Sequence, residues 1–416
     1  MHFAWFSLWT THFSKEREGV EAYSREPLPE PPMIDFALKG IIDSTLREGE
    51  QTPGVNFRRD QKLQIVHHLI GLGVEEIEIG VASPRSPELC SLVAEAASVT
   101  RGACRISLWS RCRAEDIRFA SRCRPDTLSL SMPVSDIHLQ EKLGRSRSWV
   151  LENLDRSIAF ALELGLATVS VGLEDATRAA PDFLRLAVEV IERSGASRIR
   201  LADTVGIASP GSITRLMEDI REIVTIPIGI HTHNDFGMAT ANAVAALEAG
   251  AQWADATVLG LGERAGNCRL EELVGYLSLG RGVDRYRPEE LRSLCGTVAD
   301  AAGIAIPAHH PLVGDKIFTC ETGLHVQGLA ANPRTYEPYD PLRIGRTRSL
   351  LFGGKTGRGA VRRRLATLGY ALSEKEAEEL VIDIRASAET MSRPLDEHGL
   401  EQLARTRGMV KSVRAG

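Results

Sequence analysis

The chain has 416 residues, of which 43% are hydrophobic and 25% charged, and its formal net charge is −5. These values are typical of a globular protein with one large α/β domain and an appendage. The near balance of charges excludes the strongly basic surface of a nucleic-acid-binding protein. No apolar run approaches the roughly 20 residues needed to cross a membrane, so no membrane partner is expected.

The number and spacing of the cysteines indicate the cellular compartment. Seven are present, an odd number, and none forms a CxxC pair. This usage argues against a disulfide framework and against a cysteine zinc site. A reducing cytoplasm is therefore the expected location.

Residues 1–37 are expected to be a disordered N-terminal extension. The first eleven residues, MHFAWFSLWTT, are apolar but lack the basic lead and cleavage site of a signal peptide. The charged and then Pro-rich stretch that follows favours disorder. Met33 lies directly before the first convincing strand, so the working protein is expected to begin near it.

From Lys39 onward a short β-branched run, a polar or Gly-rich break and a helical pattern recur. Eight such units predict a (β/α)8 TIM barrel. A doubly wound sheet is the alternative, although it usually has fewer strands and a phosphate fingerprint after the first. The predicted strands are Gly40–Thr45, Glu75–Gly80, Arg105–Ser110, Thr127–Met132, Thr168–Leu173, Ile199–Asp203, Pro227–His231 and Trp253–Leu259.

Helical patterns lie between these strands, and several end at a glycine, the usual stop signal. We expect the barrel to span residues 38–285, a linker or lid subdomain that contributes to the active site to span 286–345, and a small helical subdomain to span 346–416. The predicted helices include Arg59–Leu72, Ser86–Val99, Trp149–Leu164, Ala180–Arg193, Pro210–Val224 and Ala239–Ala249.

A barrel of this kind places its chemistry at the C-terminal ends of the strands. His231 and His233 end strand seven, and residues two apart in a strand point to the same side. Two imidazoles directed at one point can bind a divalent metal. Glu48, after strand one, is close enough around a closed ring to supply a carboxylate. The alternative is a pair of polar residues at the mouth of an ordinary strand.

Three stretches resemble the 2-isopropylmalate and homocitrate synthase family. They are LREGEQ at residues 46–51, IGIHTHNDFG at 228–237 and GLGERAGN at 260–267. The resemblance extends from about residue 38 to 395. It is strongest to the nitrogenase-associated homocitrate synthases, because Glu48 stands where isopropylmalate and citramalate synthases usually have Asp. Lysine-pathway homocitrate synthases tend to have Arg where Ser170 stands, which leaves open the residue that binds the distal carboxylate.

The resemblance implies a Claisen condensation of acetyl-CoA with 2-oxoglutarate that yields homocitrate and CoA. It also implies a divalent metal ion (Zn, Mn, Mg or Co) held by Glu48, His231 and His233, with Asn267 a weaker ligand. Arg47 would bind substrate and stabilise the negative charge that develops on the ketone oxygen. The alternative for Arg47 is a structural ion pair with Asp43 or Asp203.

By the same resemblance, His325, Tyr336 and Glu174 form the acid/base group. In the family the His and Tyr commonly come from the partner subunit, which implies a homodimer with shared active sites. The further residues expected to bind substrate are Gln51, His138 and Thr204.

Other functions remain open at this point. An isopropylmalate or citramalate synthase differs only in the 2-oxo acid accepted. A hydroxyacyl-CoA lyase on the same barrel is more distant. The segment with His325 and Tyr336 argues for the synthases, since such lyases are generally shorter. A metal-dependent hydrolase usually has its HxH pair on strand one. His309 and His310 have no partner at metal spacing and are expected to be structural.

Overall fold

The computed structural model describes residues 37–321 and 323–411. The predicted N-terminal extension and its alternative start at Met33 lie outside these residues, apart from Ala37.

Within the described residues, eight parallel strands form a closed barrel. Each strand pairs with the next in sequence, and the eighth closes the ring on the first, with Gly40 beside Trp253 and Asp43 beside Ala256. The predicted (β/α)8 fold is confirmed. The strands are β1 (Gly40–Asp43), β2 (Glu76–Val81), β3 (Arg105–Arg111), β4 (Thr127–Pro133), β5 (Val169–Glu174), β6 (Arg198–Asp203), β7 (Ile228–Thr232) and β8 (Trp253–Ala256).

Helices follow the strands and cover the outside of the barrel. A further short parallel pair, β9 (Thr319–Cys320) and β10 (Ser349–Leu350), lies beyond it. The helices are α1 (Arg59–Leu72), α2 (Leu89–Thr100), α3 (Ala114–Cys123), α4 (Arg147–Glu163), α5 (Pro181–Arg193), α6 (Pro210–Arg221), α7 (Ala239–Glu248), α8 (Leu270–Gly275), α9 (Leu291–Ala302), α10 (Gly323–Ala331), α11 (Arg358–Thr367), α12 (Glu374–Met391) and α13 (Glu397–Thr406).

Local sequence chemistry explains where many helices begin and end. Helix α1 ends at Gly73, whose φ of 100° is left-handed and whose added Cβ would lie 2.9 Å from the carbonyl oxygen of Arg285. Glycine is therefore required there. Helix α6 begins with Pro210 after Ser209, whose side chain accepts a hydrogen bond from the backbone N–H of Ser212.

Two details differ from the predicted pattern. Helix α3, rich in charged residues, was not among the predicted helices. Arg124, and not a glycine, takes the left-handed conformation at its C-terminal end (φ 55°). The eighth strand was predicted to reach Leu259 but ends at Ala256. The chain leaves the strand there in a tight turn, in which Leu259 itself has a φ of 59°.

The described residues form two apolar cores. The larger lies between the strands and the surrounding helices and includes Ile79, Ile106 and Ile230, all fully buried. The smaller joins Phe352 to apolar residues of α11, α12 and α13. The chain after the barrel thus has a core of its own, stabilised by the burial of apolar surface.

His310 contacts the outer part of the barrel. Its side chain is buried, and Nε2 lies 3.3 Å from Oε1 of the fully buried Glu271 in α8. Burial raises the pKa of Glu271. The histidine therefore connects the segment after the barrel to α8.

One disulfide is present among the described cysteines, although the odd count predicted no disulfide framework. It joins Cys90 in α2 to Cys123 at the end of α3, two neighbouring helices. Four further cysteines, Cys104, Cys112, Cys268 and Cys295, have free thiols and are buried. None of the described helices combines the length and apolar character needed to traverse a lipid bilayer.

Candidate active site

Glu48, His231 and His233 come together at the C-terminal end of the barrel. All three side chains are buried, and one ligand atom from each lies within 4.8 Å of the others. His231 belongs to β7 and His233 follows directly after it, while Glu48 lies in the loop after β1. The two-residue spacing on β7 and the short path from β1 thus bring together the predicted ligands.

Hydrogen bonds orient both imidazoles. Nδ1 of His231 lies 2.9 Å from a carboxylate oxygen of Asp255, and Nδ1 of His233 lies 3.1 Å from the backbone carbonyl oxygen of Asp203. Because both partners are acceptors, each Nδ1 donates its proton and each Nε2 keeps a lone pair. This is the usual arrangement around a histidine that binds a metal.

The donor set fits a divalent cation. Nε2 of His233 is buried without a hydrogen-bond partner among the described residues, and it faces Oε1 of Glu48 at 3.8 Å. Oδ1 of Asn267 is likewise buried and unpaired, while its Nδ2 donates to the carbonyl oxygen of Leu261. One carboxylate, two imidazoles and an amide oxygen suit a borderline or hard metal ion.

Burial also keeps the histidines neutral. Desolvation lowers the pKa of His231 to about 4, against the opposing effect of the Asp255 carboxylate, and it lowers the pKa of His233. Removing an imidazole from water disfavours its charged form. Both rings are therefore unprotonated at neutral pH, as metal ligands must be.

Arg47 lies beside Glu48, one of the predicted metal ligands, and contacts its carboxylate. Its Nε donates to Glu78 at 2.5 Å, and burial lowers its pKa. The alternative partners Asp43 and Asp203 are engaged elsewhere, with Thr45 and with Thr177. The arginine thus pairs with Glu48 and Glu78, and the alternative of a structural ion pair with Asp43 or Asp203 is not observed among the described residues.

A charge network continues into the barrel below Arg47. Nη1 of Arg200 in β6 lies 3.2 Å from Glu78 in β2 and 2.8 Å from Asp255 in β8, which also holds His231. Burial would raise the pKa of Glu78, but the charges of Arg47 and Arg200 outweigh it and hold that pKa well below its usual range. The network therefore stays ionised in the interior of the barrel.

A second charged pair lies one layer deeper. Arg198 donates to both carboxylate oxygens of Glu76, at 3.1 and 2.8 Å, and its Nε donates to Ser170. Its guanidinium also lies 4.5 Å from the ring centroid of Trp253. Strand β2 thus contributes Glu at two alternate positions, and strand β6 contributes Arg at two alternate positions that pair with them.

A cavity of about 250 Å³ opens directly above this network. It holds the predicted ligands Glu48, His231 and His233, and also the predicted site residues Arg47, Gln51, Glu174 and Thr204. The other lining residues are Trp109, Ser131, Lys142, Gly172, Arg200, Ala202 and Glu263.

Glu174 ends β5 and forms part of the cavity wall. Its carboxylate accepts hydrogen bonds from Ser131 at 2.8 Å and from Lys142 at 2.7 Å. Lys142 belongs to a single π-helical turn, His138–Leu143, after β4. The carboxylate is therefore held in place by a hydroxyl and an ammonium group.

The predicted substrate-binding residues differ in position. Oγ1 of Thr204 accepts a hydrogen bond from the backbone N–H of Asp175, which leaves its own proton available to the cavity. His138 is not among the residues that line this cavity. Its Nε2 lies 3.8 Å from the buried carboxylate of Asp175.

His325 and Tyr336 lie close to each other, and neither is among the described residues that line the cavity with Glu174. Their ring centroids are 4.2 Å apart, with 44° between the ring planes, and both side chains are exposed. All described residues that line the cavity precede α8 in the chain. Within the described part of one chain, the cavity therefore contains Glu174 of the predicted acid/base group but not His325 or Tyr336.

Sequence reasoning missed the interior network of Glu78, Arg200 and Asp255. A detectable signal was present, because β2 reads EIEI and β6 reads RIRL, with charges at alternate positions of otherwise apolar strands. Such a pattern places charged side chains on one face of a strand. The opposite signs on the two strands indicate pairing.

The chain was compared with known proteins. Residues 39–296 match the family model HMGL-like, and residues 312–392 match the model described as homocitrate synthase post-HMGL domain-like. The chain belongs to the HMGL-like family. It is 38% identical to 2-isopropylmalate synthase 2 of Caldanaerobacter subterraneus subsp. tengcongensis, over 87% of this chain and 94% of that protein. It is 40% identical to the homocitrate synthase of Frankia alni, over 80% and 95%.

Solved structures share the barrel of this HMGL-like chain. The HMG-CoA lyase of Bacillus subtilis aligns with a TM-score of 0.57 and 21% identity, over 67% of this chain and 97% of the lyase. At this identity the likeness concerns the fold.

Proposed function

We propose that the protein is a homocitrate synthase that condenses acetyl-CoA with 2-oxoglutarate. The methyl carbon of acetyl-CoA loses a proton and forms a bond to the ketone carbon, whose oxygen becomes a hydroxyl. Water then cleaves the thioester and releases homocitrate and CoA. The observation that supports this most is the cavity in which Glu48, His231 and His233 lie beside Arg47 and Glu174.

Glu48, His231 and His233 would hold the divalent ion, with Asn267 as a further ligand. Such an ion, when bound, supplies a Lewis acid that polarises a ketone and positions its carboxylate. Arg47 places a permanent positive charge beside the same point and stabilises the oxygen as it becomes negative. The buried Glu78 holds this arginine in place.

Proton transfer from the methyl group needs a positioned base. Glu174 is held at the cavity wall, and Thr204 offers a hydroxyl to a substrate carboxylate. His325 and Tyr336 are exposed in one chain and lie next to each other. We propose that they complete the acid/base group of the neighbouring subunit in a homodimer.

The remaining assignments are part of the same proposal. Residues 286–345 serve as a lid subdomain, residues 346–416 form a separate helical subdomain, and the enzyme works in the cytoplasm. Its resemblance to the nitrogenase-associated branch favours a role in nitrogenase cofactor synthesis.

The main alternative is an isopropylmalate or citramalate synthase, and the relative from Caldanaerobacter, named a 2-isopropylmalate synthase, is nearly as similar as the homocitrate synthase from Frankia. A hydroxyacyl-CoA lyase is less favoured, because the lyase from Bacillus aligns with only 67% of this chain.

The test is CoA release from acetyl-CoA with 2-oxoglutarate, 2-oxoisovalerate or pyruvate in separate reactions. We expect turnover with 2-oxoglutarate to exceed the other two, and homocitrate to be the product by mass spectrometry. Turnover with 2-oxoisovalerate alone would contradict the proposed substrate.

A further inference from the structure

Arg200 presents an unused edge to the active-site cavity. Its Nη1 is engaged by the carboxylates of Glu78 and Asp255. Among residues 37–321 and 323–411, none accepts a hydrogen bond from its Nε or Nη2. These two groups form one planar edge of a guanidinium, which matches the two oxygens of a carboxylate. Arg200 lines the cavity, so this edge is accessible to a small molecule bound there.

Gly172 leaves this edge uncovered. It occupies the neighbouring strand β5, and a Cβ added to it would lie 3.6 Å from Nε and 3.8 Å from Nη2 of Arg200. A larger side chain at position 172 would therefore extend across the edge. Ser131 and Ala202, on the strands to either side, are also small and line the same cavity.

Arg198 provides an internal comparison. It lies two residues earlier on the same strand, but all three of its guanidinium nitrogens have protein acceptors, Ser170 for Nε and Glu76 for Nη1 and Nη2. Among the residues that the structure describes, by contrast, only the Nη1 nitrogen of Arg200 has acceptors. A guanidinium edge that is unpaired in a buried site is unfavourable in free energy unless a ligand binds to it. Arg200, unlike Arg198, therefore has the property expected of an anion-binding residue.

The other cations of the cavity are less suitable for a second carboxylate. Arg47 contacts Glu48, a proposed metal ligand, so it lies where the ketone of the substrate would react. The Lys142 side chain is 54% exposed and its ammonium is bonded to Glu174. Arg200 is buried and is linked through Asp255 to His231, which places it beside the metal position but deeper in the barrel.

We propose that the Nε–Nη2 edge of Arg200, left open by Gly172, binds the distal carboxylate of a dicarboxylic 2-oxo acid. This inference rests on the proposed function, which places the ketone of the 2-oxo acid beside Glu48, His231 and His233. It provides a subsite for the distal carboxylate in a chain that has serine at position 170. A monocarboxylic 2-oxo acid would leave the edge unpaired and would bind more weakly.

The test is calorimetric binding of 2-oxoglutarate and of 2-oxovalerate, which lacks the distal carboxylate, to the Mn²⁺-loaded protein. We expect the wild type to prefer 2-oxoglutarate by on the order of 100-fold, as for a buried bidentate charge pair. Arg200→Lys keeps the charge that Glu78 and Asp255 need but removes the planar edge. Gly172→Val covers the edge and removes no charge. Both variants should reduce the preference to about tenfold or less.

Arg198→Lys is the matched control and should keep the wild-type preference. The proposal is overturned if the wild type binds both acids equally, or if Arg200→Lys and Gly172→Val retain the full preference. Gly172→Val decides the question if Arg200→Lys does not fold. Binding is measured without turnover, so a failure to release CoA would count against the proposed reaction and would not affect this result.

Discussion

At the scale of single residues, burial decides which protonation states the site holds. His231 and His233 are neutral because the barrel withdraws them from water, and each has a fixed acceptor on Nδ1. The pKa of Asp43, at the end of β1, shifts in the opposite direction. Desolvation raises its pKa to about 7 in spite of hydrogen bonds from Thr45.

Metal binding should therefore resist mild acid. For two histidines of ordinary pKa, lowering the pH from 7.5 to 5.5 would weaken metal affinity by about 100-fold through proton competition. Since burial lowers both pKa values, we expect a loss of less than about tenfold, measured by Mn²⁺ titration with electron paramagnetic resonance. A 100-fold loss would show that the histidines titrate normally.

Asp43 should make stability depend on pH. The folded protein keeps this proton up to about pH 7, whereas the unfolded chain releases it near pH 4. The stability contribution is complete below pH 4 and is lost as pH rises to about 7, by on the order of 1 kcal/mol per unit.

Asp43→Asn removes the titrating group. The unfolding free energy of the wild type minus that of the variant should therefore fall between pH 4 and pH 7 and stay level above. Urea denaturation at several pH values measures it, and a difference that is constant with pH contradicts the assignment.

At the scale of elements, the strands combine an ordinary apolar exterior with a charged interior. β2 and β6 place Glu76 and Glu78 opposite Arg198 and Arg200 inside the barrel. Buried ion pairs of this kind stabilise little compared with apolar packing, but leaving one partner alone is costly.

The Glu76–Arg198 pair allows this to be measured away from the cavity. Glu76→Gln alone should lower the unfolding free energy by about 3–5 kcal/mol, because it leaves a buried arginine unpaired. Adding Arg198→Met should restore much of this loss. The exposed Arg58–Asp60 pair is the control, and Asp60→Asn should change nothing measurable. Additive effects in the double variant would mean that the two buried charges do not interact.

The elements were largely predictable, and the reasons are physical. Alternating β-branched runs and glycine stops predict β1 to β7 and the bounds of α1, because backbone geometry follows local chemistry there. The end of β8 depends on a left-handed Leu259, which local preference does not favour. The ligands on β7 follow from two-residue spacing, whereas the Arg200–Asp255 contact joins distant strands and follows only from the closed ring.

At the scale of the whole molecule, the remaining question is where the acid/base group comes from. His325 and Tyr336 pair with each other in one chain and are absent from the residues that line the described cavity. A single sequence contains no direct information on which subunit supplies a residue, so only the resemblance to the family predicted a shared site.

Subunit complementation tests this prediction. His231→Ala and His325→Ala homodimers should each be inactive, the first for lack of a ligand and the second for lack of the acid/base residue. If sites are shared, coexpressed chains form heterodimers with one intact site, and purified heterodimer should recover about half of wild-type activity per dimer. Activity no greater than the sum of the two inactive variants would contradict sharing.

The most direct test of the central claim measures bound metal and CoA release in the same preparations, with acetyl-CoA and 2-oxoglutarate as substrates. We expect one divalent ion per chain in the wild type, loss of turnover on chelation, and recovery when Zn²⁺, Mn²⁺, Mg²⁺ or Co²⁺ is returned. Glu48→Gln and His231→Ala should bind less metal and lose at least 100-fold in turnover, on the order expected when a metal ligand is removed. Undiminished CoA release by the chelated protein, or by either variant, would contradict a metal-dependent condensation at this site.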